Sequence, residues 1–170
     1  DLRVVNGQRG RVAIFRLDDG SEFIEAVADE KLFDAQRALL RDDELIIVQG
    51  KVQPDRFSGG LRLNLQQVWD LPTARCRFGH YLRIPVHGAD ATGPAQQLSD
   101  LLRDFPAHRV STEQGELVHG LAIRVELHRE AAQAQLDLGD DARVFPTDAA
   151  LDRCARGARG ACVVYATEAA

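Results

Sequence analysis

Residues Arg9–Leu71 read RGRVAIFRLDDGSEFIEAVADEKLFDAQRALLRDDELIIVQGKVQPDRFSGGLRLNLQQVWDL, and the fold turns on this stretch. Arg11 to Leu17 alternates with period two and stops at Asp18-Asp19-Gly20, whose Asp-Gly pair favours a tight hairpin. Glu22 to Ala28 is the return strand. The period then changes: Leu32, Phe33, Gln36, Leu39 and Leu40 fall at helical spacing, which predicts a helix over Asp29 to Arg41 with Asp29 as its N-cap. Asp42-Asp43 breaks it. Glu44 to Gln53 is an apolar-rich strand, Pro54 to Gly60 a loop, and Leu61 to Leu71 alternates again. With Leu2, Val4 and Val5 as a first strand, the order is β-β-β-α-β-β.

That order predicts a five-stranded OB-fold barrel, whose open face and loops usually hold single-stranded nucleic acid or oligosaccharide. The 170 residues leave room for a second, smaller domain. The composition, 45% hydrophobic and 28% charged, is that of a folded chain. Pro72 ends the first pattern, and Thr73 to Gly79 reads as a linker, placing the domains at 1–75 and 78–170.

Beyond it, Tyr81 to Val86 alternates as a strand and Gly88 to Pro94 is a loop. Ala95 to Phe105 carries Leu98, Leu101, Leu102 and Phe105 on one helical face, stopped by Pro106. His108 to Ser111 is a short strand, followed by a polar turn at Glu113 to Glu116. Leu121 to His128 and Ala132 to Leu138 form a hairpin, and Arg143 to Pro146 is another short strand. Thr147 or Asp148 caps a helix to about Arg156, and Ala161 to Ala166 is the last strand. This predicts a small mixed α/β domain with helices packed on a sheet.

The net charge of −5 excludes a dedicated nucleic-acid clamp. Residues 1–72 carry 10 basic and 13 acidic side chains, and residues 73–170 carry 11 and 13. Distribution matters more than the sum. Arg9 and Arg11 flank the first turn, and Lys51, Arg56 and Arg62 surround the loop before the last barrel strand. An OB barrel is expected to bring these pieces to one rim, away from the helix acids Asp29, Glu30 and Asp34. Phe57, beside Ser58-Gly59-Gly60, either stacks on a base or closes the barrel end. Arg9, Arg11, Lys51, Arg56, Phe57 and Arg62 are therefore the expected nucleic-acid contacts. Phe15 and Phe23 are expected in the core ahead of the open face.

No catalytic constellation is present. Asp18-Asp19 suits a turn better than a metal. His80, His87, His108, His119 and His128 lack zinc-site spacing, and Cys154 falls on the apolar side of its helix. Gly157 and Gly160 stop a helix, with no phosphate-loop context. No cofactor or metal is expected. Cys76, Cys154 and Cys162 form no CxxC pair, which fits a reduced cytoplasmic setting, and no apolar run suggests a membrane.

The LDDGS hairpin, the IE.V strand, the L-F-bearing helix, the L.IV.G.V strand and the FSGGLRL loop together resemble the OB domain of the bacterial DNA polymerase III alpha subunit. LDLGDDARVFPTDAALDRC resembles the end of proteobacterial alpha subunits. The resemblance implies a non-catalytic C-terminal fragment of a DNA-directed DNA polymerase, a nucleotidyltransferase whose catalytic carboxylates lie in an upstream palm domain. Asp1, which begins the chain as if cut inside a strand, agrees with a fragment. The implied partners are single-stranded DNA template, bound weakly, and the tau subunit of the clamp loader, docked by residues 78–170 within the polymerase III holoenzyme. The family commonly has an aromatic where this chain has Ala28, which would remove a strand-face stacker. Gln97 to Leu102 (QLSDLL) resembles a sliding-clamp peptide, but its leucines are expected in a helix core. An RNA-binding accessory OB module, as in a tRNA synthetase, and a purely structural interaction module are the alternatives.

Overall fold

A computed structural model describes residues 2–7, 10–55, 59–88, 92–112 and 115–165. The chain divides into two compact units, Asp1–Leu71 and Pro72–Ala170.

The first unit contains β1 (Arg3–Gly7), β2 (Gly10–Asp18), β3 (Phe23–Asp29), α1 (Glu30–Ala35), β4 (Ile47–Pro54) and β5 (Leu61–Trp69). The strands lie in the order β1-β2-β3-β5-β4. β3 and β5 are parallel, and the other neighbours are antiparallel. The connection between the parallel strands β3 and β5 carries α1 and β4. This is the OB-fold order, and its core gathers Ala13, Phe15, Ala26, Ala28, Phe33, Leu40, Leu65 and Val68. Alternation decides which side each strand residue takes. Ala13 and Phe15 of β2 face inward with Ala26 and Ala28 of β3, and these alanines leave space for Phe33 from α1.

Ala28 is fully buried, so its small side chain shapes the core and leaves the outer strand face untouched. The helix is shorter than the spacing predicts. Asp29 caps it, its carboxylate accepting from the Leu32 amide at 2.8 Å, but it ends at Ala35 with Gln36 as C-cap. A turn-rich segment follows in which Asp43 takes φ 60°. Leu40 is nonetheless buried, because the turns carry it back onto the core.

The β2–β3 turn consumes both of its aspartates. Asp18 accepts from the Gly20 amide at 2.8 Å, and Gly20 has φ 87°. Asp19 accepts from the Ser21 hydroxyl at 2.7 Å and from the Ser21 and Glu22 amides at 2.9 and 3.0 Å. These bonds, led by the Ser21 hydroxyl, hold the Asp19 carboxyl down to about 2. A depressed carboxyl contributes to the turn above its ordinary pKa and loses that contribution as pH falls through 2. The Ser21 and Glu22 amide resonances should therefore titrate with a midpoint near 2. A midpoint near 4, the value of a free carboxylate, would show that Asp19 is not their acceptor.

The second unit contains α2 (Leu71–Phe78), β6 (Gly79–His87), α3 (Thr92–Asp104), β7 (His108–Thr112), β8 (Gly115–His119), β9 (Leu121–His128), β10 (Gln133–Asp137), β11 (Arg143–Val144), α4 (Asp148–Gly157) and β12 (Cys162–Tyr165). Its main sheet runs β10-β9-β6-β12, with β11 beside β9 and β7–β8 as a separate hairpin. β6 and β9 are parallel, and the crossover between them passes through α3. Leu82, Ile84, Val86, Leu121, Ile123 and Val125 from the sheet pack with Leu101 of α3 and with Ala150 and Cys154 of α4.

The expected linker at Thr73 to Gly79 is instead occupied by α2. Pro72 sits in its first turn, where the missing amide costs nothing, so proline starts a helix here and does not end a strand. Ala74 is buried, and Arg75 donates to the Pro146 carbonyl at 2.9 Å and pairs with Asp148 at 2.7 Å. These contacts tie α2 to the start of α4. Thr147 caps α4 by accepting from the Ala150 amide.

The QLSDLL segment lies inside α3, with Leu101 buried and Leu98 and Leu102 packed on the core. Cys154 is buried, and burial pushes its thiol up to about 11. No disulfide joins Cys76, Cys154 and Cys162. Among the described residues no helix is long and apolar enough to cross a membrane.

Candidate nucleic-acid interface

The strand registers lay the outer face of the first unit out in rows. Arg3, Ile14, Val27, Asn64 and Lys51 stand abreast across all five strands. The next row on that face is Arg16, Glu25, Arg62 and Gln53, and beyond it Asp18 pairs with Phe23. Their alternation partners on β2, β3 and β5 pack in the core, which leaves the polar side chains of these strands to the outer rows.

The expected contacts meet different fates. Arg9, Arg56 and Phe57 lie outside the described residues. Arg11 does not join Arg62 on one rim. It shares the inward parity of Ala13 and Phe15 and emerges against α1, where its guanidinium bonds Glu30 at 2.7 Å and Asp34 at 3.3 Å. The hydrogen bond to Glu30 and the charge of Asp34 raise the Arg11 pKa, and Arg11 in turn holds the Glu30 carboxyl below the usual range. Two of the three helix acids expected to stand apart from the cations, Glu30 and Asp34, are thus partners of one of them.

Arg62 is on the outer face but is shared between Glu25 at 2.6 Å and Asp55 at 3.2 Å. Asp55 is 7% exposed and begins the loop before β5. It is a buried carboxylate, which requires a paired charge, and Arg62 supplies it. Lys51 is exposed on the outer face, and among the described residues it has no carboxylate partner. Asn64, its register partner, donates to Gln53 at 2.9 Å.

Phe15 is in the core, as expected, whereas Phe23 is not: it is 65% exposed. The Asp18–Phe23 register puts it on the face opposite Phe15. The Arg16 guanidinium lies over its ring at 4.8 Å and sits 3.7 Å from Asp18. Arg3, Ile14, Arg16, Phe23 and Glu25 line a depression of about 390 Å³ on this face. An exposed aromatic ring beside guanidinium groups supplies both contacts that an unpaired strand needs, a stacking surface for a base and a positive charge for its phosphate. Arg3 and Arg16 are the residues that sequence reading missed. Hairpin parity was the available signal, since a turn pairing Asp18 with Phe23 sends Phe15 and Phe23 to opposite faces.

In the second unit, His87 and His128, neighbours in the β6–β9 register, stack at 4.8 Å, and Glu126 lies 3.7 Å from His128. Among the described residues no group of three or more His, Cys, Asp or Glu side chains could hold a metal ion.

Residues 2–71 match the family model described as an OB-fold nucleic acid binding domain. The chain is also similar to proteins named DNA polymerase III subunit alpha. That of Pseudomonas aeruginosa is 34% identical over 149 residues, that of Escherichia coli K12 32% over 151, and that of Vibrio cholerae 31% over 152. These alignments cover 87–88% of this chain, which spans only 12% of the length of each relative. Residues 2–71 thus have the OB fold and match a model of nucleic acid binding domains, in a chain similar over most of its length to part of proteins named DNA polymerase III subunit alpha.

Proposed function

We propose that this chain is a non-catalytic part of a polymerase III alpha subunit, working in the cytoplasm within the holoenzyme. Its OB unit contacts single-stranded DNA template, and its second unit docks the tau subunit of the clamp loader. The observation that carries the first half is the exposed Phe23 ring under Arg16, on the outer face of an OB-fold domain. Phe23 takes a base. Arg3, Arg16 and Lys51 neutralise phosphates, and the sequence adds Arg9, Arg56 and Phe57 from the flanking loops. Arg62 and Arg11 contribute by holding the scaffold, because each is shared between two carboxylates at 2.6–3.3 Å, whereas Arg16 has only the longer 3.7 Å contact with Asp18 and stays available to a phosphate. The similarity to alpha subunits over most of the chain supports the second half.

The acidic chain opposes DNA, so affinity is expected at the weak end of non-specific binding, on the order of 10⁻⁴ M at physiological salt. If three cations each meet a phosphate, the slope of log K against log salt is about −2, at roughly −0.7 per phosphate. Phe23→Ala should weaken binding about tenfold and leave that slope alone, since stacking releases no counterions. Arg16→Ala should flatten the slope by roughly 0.7. Fluorescence anisotropy on labelled oligo(dT) at three salt concentrations measures both. Unchanged affinity in both variants would remove this face from the interface. Tighter binding of oligo(U) would favour an RNA-binding module, and no binding at low salt a purely structural one.

A further inference from the structure

The second unit has a groove that its own core does not fill. It lies between α3, α4 and the end of β6, with a volume of about 530 Å³. That is within the roughly 300–1,000 Å³ typical of ligand clefts. Ile84, Val86, Leu98, Leu101, Cys154 and Ala158 make its floor apolar. Gly157 and Ala158 end α4, and the Gln97 side chain of α3 occupies the space that a β-carbon at position 157 would need.

The rim is charged, with Arg103, Arg153 and Arg159 set against Asp100 and Asp104. Both carboxylates are already engaged. Asp100 accepts from Arg103 and Gln96, and Asp104 pairs with Arg103 and Arg153. The Asp104 carboxyl is held below the usual range by these guanidiniums, Arg153 first. Arg159 has no carboxylate partner among the described residues. The groove therefore offers aliphatic surface beside one uncommitted cation, on a chain whose net charge is −5. Aliphatic walls do not stack bases, so the floor selects against a nucleic-acid strand and for apolar side chains.

We propose that the α3–α4 groove is the docking site for a short protein segment carrying apolar anchors next to a carboxylate, the anchors seated on Leu98, Leu101 and Ala158 and the carboxylate on Arg159. This rests on the reading of the second unit as the docking half and names the surface and the chemistry of the segment. It gives the apolar floor a buried hot spot and the rim a steering charge.

The test uses the full chain, ¹⁵N-labelled, titrated with the C-terminal region of tau from the same bacterium. Binding should shift amides of α3 and α4. Arg159→Glu should weaken it about fivefold and reduce its salt dependence, as reversal of a rim charge does. Ala158→Phe, which fills the groove, should weaken it at least tenfold. Arg159 is exposed, so its variant stays informative even if Ala158→Phe fails to fold. Wild-type affinity in Arg159→Glu, with shifts confined to another surface such as the β7–β8 hairpin, would overturn the groove while sparing the docking role. No saturable binding by the wild-type chain would overturn both.

Discussion

Gly50→Ala should destabilise the first unit by about 3 kcal/mol or more, the upper end of what overpacking costs. Gly50 lies in β4 where the register with β5 shifts. A β-carbon built there falls inside van der Waals contact of the Asn64 carbonyl oxygen, 3.0 Å from its carbon and 3.1 Å from a Leu63 methyl. A methyl can turn aside; a ladder carbonyl cannot move without breaking the β4–β5 pairing. Positive φ plays no part here, so the effect is one of space alone. The same pairing holds Lys51 abreast of Asn64, so the proposed oligo(dT) binding should fall together with stability. Urea unfolding with an unchanged m-value would report the loss. A midpoint shift worth less than about 0.5 kcal/mol, typical of a surface change, would mean that the strands are not packed this closely.

Leu82→Ala should cost about 2–5 kcal/mol, the range for removing a leucine from a well-packed interior. Leu82 is fully buried in β6, opposite Ile123 on one side and Val163 on the other. Few neighbours can close the cavity, because all three residues stand on strands fixed by ladders. A loss of this size is a large fraction of the roughly 5–15 kcal/mol that holds a domain folded. The functional consequence is selective. The cluster around Leu82 draws on residues of the second unit only. On the proposed division of labour, the variant should lose tau binding by calorimetry at growth temperature while oligo(dT) binding by the first unit persists. Simultaneous loss of both would contradict the division of labour between the units.

The sequence by itself determined the order of elements in the first unit. Alternation, the Asp18-Asp19-Gly20 turn and the helical insert specify the strand–helix order of an OB fold, because hydrophobic period and turn chemistry act over a few residues. Local signals also sufficed for the β9–β10 hairpin, for a cap at Thr147 or Asp148, which the structure assigns to Thr147, and for the burial of Leu101 and Cys154. They misread Pro72, since a proline that ends a strand and one that begins a helix look alike until Arg75 finds its contacts with Pro146 and Asp148.

What only the tertiary structure decided is which side chains share a face and which charges remain unmatched. Phe23 and Arg3 are far apart in the chain and meet on one surface through the β1–β2–β3 registers. Arg11 and Arg62 looked like free cations in sequence, but folding brings Glu30, Asp34, Glu25 and Asp55 to them. The physical reason is range. A strand's period depends on its own neighbours, whereas the partner of a charge is whatever residue the sheet order sets beside it.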